Sequence, residues 1–142
     1  MSNGTDKKTY RIVCYGDSIT KGYYKLFRRL VKKKMRQYDV HVINEGVVGE
    51  TSVEGLKRLN KIIDYQPDLV IIGFGMNDWR KGVNKRTFRD NLESMIDELI
   101  KRESQRVLPF LKELFEKAND EDRIKASEYL IKYQDLNALR FY

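Results

Sequence analysis

The chemistry available to this chain gathers in three short segments, each following an apolar run. They are Gly16-Asp17-Ser18, Asn44 to Thr51, and Gly73 to Asp78. A serine hydroxyl at a strand-to-helix turn can face solvent, and the N-terminus of the following helix favours negative charge developing beside it. Ser18 stands in such a place. Gly49 can offer a backbone N–H with no side chain to block an approaching substrate, and Asn77 can donate from its side-chain amide. Together with the Ser18 N–H, these donors would make an oxyanion hole, the main electrostatic contribution to acyl transfer. Each residue also has a plainer reading. Asp17 or Ser18 could simply cap a helix, Gly49 could be a turn glycine, and Asn77 and Asp78 could bond their own backbone.

The elements that would position these residues alternate along the chain. Tyr10 to Tyr15, with β-branched Ile12 and Val13, predicts a buried strand. Leu26, Phe27, Leu30, Val31 and Met35 predict the apolar stripe of a helix, with Arg28, Arg29, Lys32, Lys33 and Arg36 on its other sides. Val40 to Asn44 predicts a second strand. Thr51 and Glu54 form a capping-box pattern ahead of one amphipathic helix carrying Val53, Leu56, Leu59 and Ile62, which Pro67-Asp68 stops. Leu69 to Phe74 is apolar without alternation, as in a strand covered on both faces. A polar loop is expected from Gly75 to Arg86, then a helix capped by Thr87 with Leu92, Met95, Ile96, Leu99 and Ile100 on its apolar face. This order implies an α/β fold: a three-layer α/β/α sandwich on a short parallel sheet of about three strands. Ligands of such sheets bind beyond the carboxyl ends of the strands, where all three segments lie. From Glu103 the pattern changes, and two helical stretches, Val107 to Lys117 and Glu121 to about Leu139, predict a C-terminal helical hairpin. The expected organisation is a disordered tail over 1–9, an α/β domain over 10–102, and a helical tail over 103–142 packed on that domain.

Gly16-Asp17-Ser18-Ile19-Thr20, Asn44 through Thr51, and Gly73-Phe74-Gly75-Met76-Asn77-Asp78 resemble, in order, motifs of the SGNH (GDSL) hydrolase family of esterases and lipases. The resemblance covers residues 10–102. It implies a flavodoxin-like fold, with Ser18 as nucleophile, Ser18, Gly49 and Asn77 as oxyanion donors, and Asp17 and Asp78 in supporting places. It implies no metal and no organic cofactor. The family also carries a late Asp-x-x-His, whose imidazole takes the serine proton. This chain has one histidine, His41, near the start of the second strand and away from the edge that Ser18 occupies. Glu50 and Asp78 are carboxylates that could stand in as a base.

Composition bounds the alternatives. The 142 residues carry 41% hydrophobic and 35% charged side chains, a globular balance, and a formal charge of +7. Residues 1–40 hold 11 basic against 3 acidic residues, so the excess sits at the front. One cysteine, Cys14, excludes an intrachain disulfide and reads as a small buried hydrophobe. No segment approaches the length of a membrane span and no leader pattern opens the chain, so a cytoplasmic protein is expected. The expected partner is a small ester, with a homodimer through the open sheet edge or the helical tail as a further expectation. A second reading is a non-catalytic shortened or chimeric relative, whether fragment, relic or engineered. A third uses the basic helix, flanked by Tyr23, Tyr24 and Tyr38, on nucleic acid or another anionic surface, although no nucleic-acid motif accompanies it. Trp79 is expected either to wall a substrate pocket or to cover the edge of the core.

Overall fold

The computed structural model describes residues 6–103. Strands β1 (Thr9–Gly16), β2 (Asp39–Gly46) and β3 (Leu69–Gly73) form one parallel sheet in the order β2-β1-β3. The helices are α1 (Ser18–Lys34), α2 (Ser52–Lys57), α3 (Leu59–Asp64), α4 (Met76–Arg80) and α5 (Lys85–Glu103). This is the α/β arrangement expected from the alternation of apolar runs. The helical hairpin expected beyond Glu103 lies outside the described residues.

β1 is the central strand, and Ile12, Val13, Cys14 and Tyr15 are all fully buried. Val13 and Tyr15 join a core built with Leu59 and Ile62 of α3 and Met95 and Leu99 of α5. Strand alternation turns Ile12 and Cys14 to the opposite face, where Cys14 meets Tyr23 of α1. Burial pushes the Cys14 thiol up to about 11, against an opposing hydrogen bond with Tyr23. It is a packed side chain rather than a nucleophile.

All three strands end in glycine, and the register lines the glycines up: Gly16 pairs with Gly46 on one side and Gly73 on the other. The first turn of α1 lies directly on this row. A β-carbon at Gly16 would overlap Thr20 Oγ1 and the Gly73 carbonyl, and one at Gly46 would run into the Lys21 N–H and the Asp17 carbonyl. Thr20 is consequently buried, which sets the rotation of α1 about its axis. Phe27 and Val31, seven and eleven residues on, then share the inward stripe.

That rotation corrects the stripe expected for α1. Val31 and Met35 are buried, but Leu26 is 51% and Leu30 44% exposed. Three further corrections concern boundaries. Thr9, placed in the tail, is the first residue of β1. The polar loop after β3 contains the short helix α4. Asn84 rather than Thr87 caps α5, its Oδ1 accepting from Arg86 N at 2.7 Å and its carbonyl from Phe88 N at 2.9 Å. The capping box is as expected: Thr51 Oγ1 accepts from Val53 N at 3.2 Å while Glu54 Oε2 accepts from Thr51 N at 2.8 Å.

The glycine row and the capping box make separate predictions. Gly46→Ala should destabilise the protein by about 1–3 kcal/mol in urea unfolding. Gly22→Ala should stabilise it by roughly 0.5–1 kcal/mol, because a β-carbon there meets nothing within 4 Å. Hydrogen bonds from the Thr51 hydroxyl and from the Thr51 and Glu54 backbone hold the Glu54 carboxyl below the usual carboxylate range. A depressed folded-state pKa gives stability that is present above the unfolded value and lost as pH falls through the folded one. The urea midpoints of parent and Glu54→Gln should therefore differ at neutral pH and converge only in acid, below the ordinary carboxylate range.

Candidate active site

The carboxyl ends of β1 and β2 are tied together by one side chain, that of Arg58. Its Nη2 donates to the carbonyls of Gly16 at 3.2 Å and Glu45 at 2.8 Å. Its Nη1 donates to Glu45 Oε2 at 3.0 Å, and its Nε to both oxygens of Glu50, at 3.1 and 2.8 Å. The guanidinium also lies over the Tyr15 ring, 5.0 Å from its centroid. Glu45 is buried, and its other oxygen accepts from Tyr65 Oη at 2.6 Å and pairs with Lys61 at 3.0 Å. One planar cation thus satisfies two strand-end carbonyls and two carboxylates, which a flexible ammonium would not reach together.

Arg58 also interrupts the single helix expected over Val53 to Ile62. Its backbone, at φ −103° and ψ 15°, ends α2 and begins α3. The kink turns the side chain back toward the sheet. The sequence carries a signal for it outside the three motifs. Arg58 lies three residues after buried Gly55 and four before buried Ile62, so it is a charge on the inward face of an amphipathic segment.

Ser18 is exposed and is the first residue of α1, immediately beyond β1. Its N–H has no acceptor within the helix. Asp17 is buried and caps α1, its Oδ1 accepting from Ile19 N at 2.9 Å. The capping role set beside its supporting role is therefore the one its contacts show.

Gly49 has φ +80° in a turn closed by Glu50 N donating to the Val47 carbonyl at 3.4 Å. A positive φ at the third residue of such a turn calls for glycine. Two bonds fasten this turn to α4: Asn77 Nδ2 donates to the Glu50 carbonyl at 3.0 Å, and Lys81 Nζ to the Gly49 carbonyl at 2.8 Å. The β2–α2 turn is joined to β1 in turn, because Val47 N donates to the Gly16 carbonyl at 3.0 Å. Gly49 and Asn77 are thus brought together through Glu50, and Ser18 lies beyond the strand end to which their turn is bonded.

Asp78 is buried, but it does not bond its own backbone. Its two oxygens accept from Ser52 N at 3.0 Å each, and Oδ1 also accepts from Ser52 Oγ at 2.6 Å. Asn91 Nδ2 donates to the same hydroxyl at 3.0 Å. Asp78 therefore fixes the start of α2 against α4 and α5. Its oxygens and those of Glu50 are all engaged, so neither carboxylate is placed as a free base. Trp79, at 78% exposure, does not cover the core.

His41 lies on β2 five residues before Gly46, which at the strand rise is roughly 16 Å from the glycine row. It is exposed, and its Nε2 is 2.9 Å from Asp39 Oδ2. That hydrogen bond and the neighbouring charges hold the Asp39 carboxyl below its ordinary value. No imidazole stands beside Ser18 among the described residues, and no His, Cys, Asp or Glu cluster there could hold a metal ion.

Comparison with known proteins identifies the family and the fold. The model of the GDSL-like lipase/acylhydrolase family matches residues 14–136, beyond the 10–102 covered by the motif resemblance. An arylesterase of Vibrio mimicus is 34% identical over 93 residues, covering 61% of this chain and 46% of that protein. Esterase TesA of Pseudomonas aeruginosa is 36% identical over 69 residues, covering 46% and 34%. The chain therefore spans less than half the length of these curated relatives. Among solved structures, AlinE4, a SGNH-hydrolase family esterase, superposes with a TM-score of 0.61 at 28% identity, covering 69% of this chain and 57% of that one. The lipase/acylhydrolase from Enterococcus faecalis does so at 0.57 and 42% identity, covering 63% and 52%.

The Arg58 network makes its own prediction. Removing one partner of a mostly buried ionic cluster leaves its carboxylates uncompensated. Arg58→Met should cost about 3 kcal/mol in urea unfolding, and Arg58→Lys should recover only part of that loss.

Proposed function

Because the chain belongs to the GDSL-like lipase/acylhydrolase family, we propose that it is a serine ester hydrolase scaffold with Ser18 as nucleophile and impaired turnover. The observation that carries this reading is the bonding of the Gly49 turn to Asn77 and to the end of β1, beside an exposed Ser18. In the proposed reaction Ser18 Oγ attacks the carbonyl carbon of a small ester and its proton leaves to solvent. The carbonyl oxygen takes up the negative charge. The Ser18 and Gly49 N–H groups and the second N–H of the Asn77 amide receive it, the first amide N–H being held by Glu50. Collapse breaks the ester C–O bond and the departing alkoxide takes a proton from solvent; water then hydrolyses the acyl-Ser18, returning the serine hydroxyl and releasing a carboxylic acid.

Impairment follows from the proton. A hydroxyl without an adjacent base is a weak nucleophile at neutral pH, and the one histidine of the chain is His41. A triad lacking one member still commonly retains about 10³–10⁴-fold acceleration over water from its oxyanion donors and binding. Slow hydrolysis is the expected behaviour.

The same absence of an adjacent imidazole favours a second reading, a non-catalytic member that keeps the fold and has lost turnover. The family match running to residue 136 gives no support to a foreign C-terminal segment.

A fluorophosphonate probe separates the two readings. Labelling mapped to Ser18 by mass spectrometry, with slow cleavage of an activated acetate ester that Ser18→Ala abolishes, is the outcome expected of the hydrolase. No labelling, with equal ester cleavage by parent and Ser18→Ala, would leave the non-catalytic reading.

A further inference from the structure

The rotation of α1 imposed by the glycine row leaves an unusual surface. Ile19, Leu26 and Leu30 are 61%, 51% and 44% exposed, and their spacing of seven and four residues puts them on one stripe of the helix. Along the same helix stand seven Lys or Arg side chains, from Lys21 to Lys34, and no carboxylate. All seven are exposed, and none of them forms an ion pair among the described residues. Their number equals the formal charge of the whole chain, +7. α1 is thus an amphipathic helix whose apolar sector extends beyond the part that packs on the sheet and whose polar sector is wholly cationic.

We propose that this face of α1 docks on an anionic lipid surface. The pairing of features selects the partner. A second copy of α1 would oppose seven cations with seven more, and like charges at close range exclude it. Duplex nucleic acid would complement the charge but gives no reason for exposed leucines in register with it. A bilayer surface with anionic headgroups complements both, taking the cations at the phosphates and the leucines into the boundary with the acyl chains. The mode is lying on the membrane, not crossing it, since no described helix is long and apolar enough to span. Docking needs no turnover at Ser18, so it stands or falls apart from the hydrolase reading.

The test is co-sedimentation of the full chain with vesicles at low salt, using Ser18→Ala as a control that should bind like the parent. Vesicles of equal parts phosphatidylcholine and phosphatidylglycerol should retain the protein, and phosphatidylcholine alone should not. Retention should fall steeply as salt is raised. Leu26→Ser/Leu30→Ser keeps every charge and should weaken retention by about tenfold. Arg29→Glu/Lys33→Glu should abolish it. These four side chains are at least partly exposed, so cooperative unfolding with midpoints only modestly below the parent's is expected and would confirm intact folding. No retention on the anionic vesicles, retention unchanged in the double serine variant, or tighter binding to a DNA duplex than to the vesicles would each overturn the proposal.

Discussion

Two strands of this sheet are joined at their carboxyl ends by a single half-buried cation. Backbone carbonyls at the ends of parallel strands have no further ladder to join, and in a covered edge each needs a donor. Arg58 supplies two of them, at Gly16 and Glu45, and in the same plane neutralises the carboxylates of Glu45 and Glu50. The kink between α2 and α3 is the backbone conformation that allows this reach. Glu50 is in turn the residue whose carbonyl holds Asn77. A chain of contacts therefore runs from the sheet through Arg58 to the turn that carries Gly49.

This edge is held by several long-range bonds, while its chemically interesting atoms stay at the surface. Asp78, Ser52 and Asn91 lock three helices together in the interior. Asp17 caps α1 from within. What faces outward is Ser18, with the Gly49 turn clamped to α4 nearby. Rigidity beneath and exposure above is the arrangement that the proposed oxyanion donors would need to stay oriented.

Much of this was legible in the sequence, for local reasons. The strands announce themselves because a run covered on both faces cannot alternate, as Ile12 to Tyr15 shows. The capping box at Thr51 and Glu54 is a pattern four residues long, and the structure contains it. The three site-bearing segments are visible in the sequence because each follows such a run. What escaped is non-local. Arg58 reads as one more polar residue of an amphipathic helix, since its partners lie up to 42 residues away. Asp78 reads as a loop carboxylate because Ser52 is 26 residues distant. Leu26 and Leu30 share the periodicity of core residues, and only the seating of Thr20 on the strand ends decides that they turn outward. The short α4 has no apolar periodicity, and its helical turn is held by Asn77 and Asp78 bonding other segments, which no window of sequence reveals.

The glycines at positions 16, 46 and 73 finish their strands at one common level. That level works as a datum from which the working end of the molecule is measured. Lengthening a connection beyond it changes only what rises above, whereas adding or deleting one residue inside a strand would lift one loop out of line and reverse the facing of every side chain before it. Variation in such a scaffold is therefore free in the connections and quantised in the strands.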